Sequence, residues 1–422
     1  MLRDGKDHPQ PVIYRVLERV TLVLQIEKLL EQYEDKMKQY RRWIHAHPEI
    51  SGQEKETAAY IAQTLRDMGL TPVEGVGGYG VTAVIEGNGG GRCIALRADF
   101  DALPMEEQTG LPYSSQNAGV CHACGHDMHT AMLLGAAHVL LACKDSFSGS
   151  VKLIFQPSEE NAADSGAKKM IADGVLENPK VDAIIGQHVH AQGLLGTVRL
   201  RKGANSAGSD RFFITVRGKS CHAAKPHEGI DAIVIAAQIV SALQTIVARN
   251  VDPLKSAAIT IGTICGGTQY NVVAEECVIE GTCRNLDPAV RAAMPERMEN
   301  IIRGIVEGMG GTYDFRYVMG YSPVINDETM FNLICETARQ LPCVKQIDVP
   351  ESSSLGGEDF SFFAERVPGV FYRIGTHREG TPVWPAHNGR FAPDEAAMKI
   401  GASVMVHAAV RYLNLHRGEG GE

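Results

Sequence analysis

Residues 121–130 read Cys121-His122-Ala123-Cys124-Gly125-His126-Asp127-Met128-His129-Thr130, and AMLLGAAHVLLAC follows at once. Six of the first nine side chains can bind a metal ion or move a proton. The Ala- and Leu-rich run behind them reads as a buried helix. Cys124 and His126 are two residues apart and cannot share a helix face, so they must bind from a loop. Asp127 then fits the N-cap of a helix beginning at Met128. A lone Cys or His is usually packed or solvated, but this density points to a metal or catalytic site. A structural zinc knuckle is the competing reading. It needs two ligand pairs far apart in sequence, and Cys121 and Cys124 have no second pair downstream.

The flanks place this loop beside a sheet. Upstream, VTAVIEG and CIALRADFDALP read as strands. Downstream, SVKLIFQPSEE is a strand ending in Glu159 and Glu160, GAKKMIADGVL is a short helix, and VDAIIGQHVH is a strand ending in His188 and His190. Strands separated by helices predict a mostly parallel α/β sheet. Asp99, Asp101, Glu159, Glu160, His188 and His190 then lie at C-terminal strand ends, where open α/β sheets bind ligands. Glu159 and Glu160 are adjacent and point in opposite directions, so one can hold a metal while the other faces substrate. A solvated acidic pair is their bland alternative. Asp99 and Asp101 face the same way; an ion pair with Arg97 or Arg92 is theirs. For His188 it is a satisfied core histidine. For His387, in Trp384-Pro385-Ala386-His387-Asn388, it is a surface-loop histidine.

Towards the N-terminus, residues 1–10 are polar and read as loosely held. Apolar residues from Leu17 to Tyr40 at three- and four-residue steps predict a helix from Val12 to about Ile44, stopped before Pro48. Ser51 to Met68 reads as a second helix, with Ser51 and Glu54 as a capping box. Gly75-Val76-Gly77-Gly78-Tyr79-Gly80 formally matches a dinucleotide fingerprint. A strand follows it rather than the helix that would receive a pyrophosphate, so these are loop and hairpin glycines.

A chain of 422 residues exceeds one ordinary domain, and 44% hydrophobic with 22% charged residues is a soluble composition. A net charge of -9 argues against a nucleic-acid partner. The run VTLVLQI is too short and too closely flanked by charge for a membrane span or signal-peptide core. A cytoplasmic location is expected, with most of the ten cysteines free and buried.

From about Ala207 the order changes. RFFITVRG, DAIVIAAQIVSALQTIVA, AAITIGTICGG, ECVIEGTCRN, AVRAAMPERMENIIRGIVEGMG and TYDFRYVMG read strand, helix, strand, strand, helix, strand. This βαββαβ order is ferredoxin-like and predicts an inserted domain over 207–320. Residues 1–206 and 321–422 then make a discontinuous first domain, closed by a helix from Asp394.

ALRADFDALPMEE, CHACGHDMHTAMLLGAA, FQPSEE, GKSCHAAKPHEGIDA, GGEDFSF and AHNGRFAPDE occur in this order and spacing. Together they resemble the metal-dependent amidohydrolases that include hippurate hydrolases, N-acetyl-diaminopimelate deacetylases, aminoacylases and auxin-conjugate hydrolases. The resemblance implies a zinc-peptidase-like catalytic domain, and an inserted lid that also joins two subunits into a homodimer. It implies two divalent ions per subunit, with zinc, manganese, cobalt and nickel all open. By motif position Cys124, His126, Glu160, His188 and His387 match metal ligands. Glu159 matches the general base and Asp101 the acid that supports the site. His222 matches a lid histidine that reaches the partner's active site, and Asn271 and Arg284 lie where lid residues contact the substrate's carboxylate end.

Two departures lie beside the pocket: Asn161-Ala162-Ala163-Asp164 follows the glutamates where the family usually has glycines, and Ala386-His387-Asn388-Gly389 stands where the family usually reads Leu-His with a proline two residues after the histidine. The implied reaction is hydrolysis of N-acyl amino acids. A dipeptidase or carboxypeptidase is the alternative, and a non-catalytic metal-binding protein on this fold is the distant one.

Overall fold

The computed structural model describes residues 12–418, with side chains of the first helix from Thr21 onward. The segment 1–10, read above as loosely held, lies outside the described residues. In chain order the elements are α1 (Val12–Ala46), α2 (Lys55–Asp67), β1 (Val73–Val76), β2 (Gly80–Glu86), β3 (Cys93–Asp99), α3 (His126–Ala142), β4 (Ser150–Gln156), α4 (Gly166–Ala172), β5 (Ala183–Leu194) and β6 (Thr197–Arg199). Then come β7 (Gly203–Ser206), β8 (Gly208–Arg217), α5 (Ala232–Thr245), β9 (Ala257–Gly266), β10 (Glu276–Asn285), α6 (Pro288–Gly308), β11 (Thr312–Tyr321) and β12 (Val324–Asn326). The chain continues through α7 (Glu328–Ala338), β13 (Gln346–Asp348), α8 (Phe360–Ala364), β14 (Gly369–His377) and α9 (Ala397–Leu415).

These elements form two units. One holds the described residues up to Leu200, Glu328–Val349 and the described residues from Val367 onward. The other holds Arg201–Asp327 and Pro350–Arg366. The limits drawn from sequence, 207 and 320, fall inside this second unit, which also takes in the segment from Pro350.

The first unit carries an eight-stranded sheet in the order β1-β2-β4-β3-β5-β14-β6-β13. Its centre, β4-β3-β5-β14, is parallel throughout. Strands β3 and β4 are buried along their whole length, as expected of parallel strands covered on both faces. Helix α3 is apolar all round and buried; it packs on the sheet and against α9, and α1 lies over both.

The second unit has the order read from sequence. Its antiparallel sheet runs β11-β8-β10-β9, with α5 and α6 packed on it. Helix α5 and the π turn behind it, Ala232–Asn250, are long and apolar enough to cross a membrane by composition. Ile235, Ile239 and Leu243 of this helix are buried in the unit's own core.

Several local expectations are corrected. Ser51 does not cap α2. Glu49 does, accepting from the backbone N–H groups of Glu56 and Thr57. Asp127 does not cap α3, which begins one residue earlier, at His126. The glycines of 75–80 are hairpin glycines as expected, turning between the antiparallel β1 and β2. Strand β5 runs on past His190 to Leu194, and α9 starts at Ala397 rather than Asp394.

Candidate metal centre

The four parallel strands deliver their C-terminal ends to one edge. Asp101 follows β3, Glu159 and Glu160 follow β4, His188 lies within β5, and the loop after β14 carries His387. Helix α3 follows β3, so its N-terminus brings Cys124 and His126 to the same edge. Between them Gly125 has φ +92, and a Cβ there would lie 2.4 Å from Val189 Cγ2. Only glycine permits this reversal between two candidate ligands.

The side chains converge. Cys124 Sγ lies 3.3 Å from His188 Nε2, and His387 Nε2 lies 3.1 Å from Glu160 Oε1. Cys124, His126 and His188 offer ligand atoms within 4.8 Å of one another. Cys124, Glu160 and His387 do the same, so the sulfur belongs to both triads. A third triad joins His126 to Glu159 and Glu160. Glu159 is buried.

The hydrogen bonds settle the ring orientations. His188 Nδ1 lies 2.6 Å from the carbonyl of Val189, so it carries the proton and leaves Nε2 as a lone pair towards Cys124. His126 Nδ1 lies 2.9 Å from the Asp101 carbonyl. Its Nε2 is buried with no hydrogen-bond partner among the described residues. A buried, unpartnered imidazole nitrogen beside a thiol and carboxylates is a metal-ligand arrangement. Sulfur, imidazole and carboxylate donors suit zinc, manganese, cobalt or nickel.

The anionic neighbours of His126 and His387 favour positive charge there. Burial pushes the Cys124 thiol up, and burial pushes His188 well down. Burial also opposes charge on His126, but Asp99 and Cys124 beside it hold its pKa well above the ordinary value. Contacts with Cys124 and Glu160 push His387 up to about 10.

A further cluster, Asp99, His126 and His129, is closely spaced but has no free donor on His129. His129 Nε2 accepts the Val189 N–H at 2.9 Å, so Nδ1 donates to Asp99 at 2.5 Å. Arg97 holds the other Asp99 oxygen at 2.6 Å, the ion pair named above as the plain alternative. His122 is buried, and burial pushes it down to about 4.

Asp101 accepts from Ser51 Oγ at 2.7 Å and from the Glu160 N–H at 2.9 Å; its Oδ1 lies 3.1 Å from His126 Nδ1. Asp127 accepts from Arg41 Nε at 3.0 Å and lies 2.9 Å from His45 Nδ1. Sequence reasoning missed Arg41, His45, Ser51 and Glu54. Their signal is a run of polar residues around Pro48, beyond a helix whose last turn, with Arg41, Ile44 and His45, is buried.

In the second unit His222 is exposed, and its Nδ1 accepts the Ala224 N–H. It bridges to Val272, and the Ala223 N–H donates to the Asn271 carbonyl, so His222 and Asn271 are neighbours. Arg284 is not with them. It lies near the other end of β10, opposite Ser209 and Ala258. It lies eight steps along the strand from Glu276, roughly 27 Å at the antiparallel rise.

The shared sulfur, the imidazoles and the buried carboxylate define the class: a metal-dependent hydrolase. Residues 95–411 match the model of peptidase family M20/M25/M40, and the chain belongs to that family. An N-acetyl-L-cysteine deacetylase of Bacillus subtilis is 42% identical over 374 residues, 89% of this chain and 87% of that one. Thermostable carboxypeptidase 2 of Saccharolobus solfataricus is 38% identical over 396 residues, 93% and 99% of the two chains. A solved Bacillus subtilis structure, described as a dinuclear metal-binding peptidase of the M20 family, is 36% identical with a TM-score of 0.79, covering 91% and 99%.

Proposed function

We propose that the protein hydrolyses the amide bond of small N-acyl amino acids, using two divalent ions per subunit. The observation that carries this reading is the Cys124 sulfur common to two ligand triads, with Glu159 buried beside them. Cys124, His126 and His188 would hold one ion, and Cys124, Glu160 and His387 the other. When bound, such ions bring the pKa of water down to about 7 and polarise the amide carbonyl. Glu159 takes the proton from water and passes it to the departing amine nitrogen. Asp101 keeps the His126 ring in the tautomer that leaves Nε2 free. His222 donates to the oxyanion, and Asn271 of one subunit with Arg284 of the other bind the substrate carboxylate. The protein works as a homodimer joined through the inserted domain, and the ten unpaired cysteines suit the cytoplasm.

The carboxypeptidase among the relatives favours a second reading, cleavage of small peptides. A panel of N-acetyl and N-benzoyl amino acids and dipeptides, with Zn²⁺, Mn²⁺ or Co²⁺ added, separates the two. Glu159→Gln tests the chemistry. It should retain its metal while kcat falls about 1,000-fold, within the range for a lost general base. Wild-type turnover in this variant removes Glu159 from that role.

A further inference from the structure

We infer that Glu54 is a positioning residue that clamps a left-handed turn at Ser158 and so fixes the backbone that presents Glu159 and Glu160. The inference rests on the roles given to those two glutamates above. Among the described residues, the non-glycine positions with positive φ are Ser158, Asn178 and His387. Ser158, at φ 54, comes directly before the two glutamates. That backbone region disfavours a residue with a Cβ, so something must hold it.

Glu54 supplies the hold. It is wholly buried, and its Oε1 accepts both the Ser158 N–H at 2.8 Å and the Ser158 hydroxyl at 3.1 Å. On the far side, the Ser158 carbonyl accepts the Gly166 N–H at 3.1 Å. Gly166 cannot carry a side chain, because a Cβ would lie 1.8 Å from the Pro157 carbonyl oxygen. Two residues after the turn, the Glu160 N–H is held by Asp101, itself held by Ser51. The short α1–α2 connection therefore grips the glutamate backbone at two points. Glu49 caps α2 in place of Ser51 and Glu54, which leaves both side chains for this task.

A mutant cycle with Glu54→Ala and Ser158→Gly tests the clamp. Glycine adopts positive φ without help, so it should make Glu54 dispensable. Turnover is read on N-acetyl-L-cysteine, and Zn²⁺ affinity by chelator competition. Glu54→Ala should lower kcat about 100-fold with little change in KM, the scale of a small misplacement of reacting groups. It should weaken Zn²⁺ binding about tenfold through Glu160. Adding Ser158→Gly should recover most of both losses. A folded double variant no better than Glu54→Ala overturns the clamp, as does wild-type kcat and Zn²⁺ affinity in Glu54→Ala. If Glu54→Ala does not fold, Glu54→Met, which fills the space without an acceptor, replaces it in the same cycle. Glu159→Gln run in parallel separates the two claims: if it stays active the base is misassigned, and the Zn²⁺ cycle still decides the clamp.

Discussion

Asp127 follows a candidate ligand in sequence, yet its bonds go to Arg41 and His45. Its carboxylate is held far down, with burial opposed by Arg41 and His45. Burial works against a charged His45 too, but the bonds to Asp127 and Glu107 push it up to about 9. A histidine with a raised folded pKa stabilises the fold fully below its unfolded pKa of about 6.5, and loses that contribution as pH rises through about 9. His45→Gln should therefore destabilise the protein by up to about 3 kcal/mol at pH 6, and by much less at pH 10. Denaturant unfolding at both pH values checks this; an equal gap at the two would refute it. Sequence patterns could not single out His45, because its partner is a residue 82 positions away.

At the level of elements, β8 shows a polar device inside an apolar strand. Asp210 is buried and takes Arg291 of α6 at 2.7 Å, the Tyr317 hydroxyl of β11 at 3.0 Å and the Gly320 N–H at 2.9 Å. One carboxylate thus ties β8 to both α6 and β11. Asp210→Ala leaves the largely buried Arg291 without its partner and should cost about 3–5 kcal/mol. Thermal unfolding measures it, and a loss below about 1 kcal/mol would mean the network is incidental. Strands and helices of this unit were legible because their periodicity is local. The caps of α2 and α3 were not, because Ser51 and Asp127 resemble caps in composition and spend their oxygens on long-range partners.

On the scale of the whole molecule, His222 and Asn271 lie together while Arg284 sits near the far end of β10. The homodimer proposed above would have each active site draw His222 from the partner subunit. Mixing His222→Ala subunits with Glu159→Gln subunits, then allowing exchange, should restore about a quarter of wild-type activity, since mixed dimers carry one intact site. No recovery after exchange, verified by mass, would place His222 in its own subunit's site.

The loop from Cys121 to Thr130 was readable by itself as a reactive loop on a buried helix, and the motifs around it carried the family. That much is local: composition, spacing and periodicity hold it within a few residues. Tertiary structure decided which of the six reactive groups do what. Cys124 keeps its sulfur for two triads, and His126 keeps Nε2 free because Asp101 takes Nδ1. His129 is spent between Asp99 and the Val189 N–H. The deciding partners come from other strands and loops, and a donor's availability depends on who already occupies it.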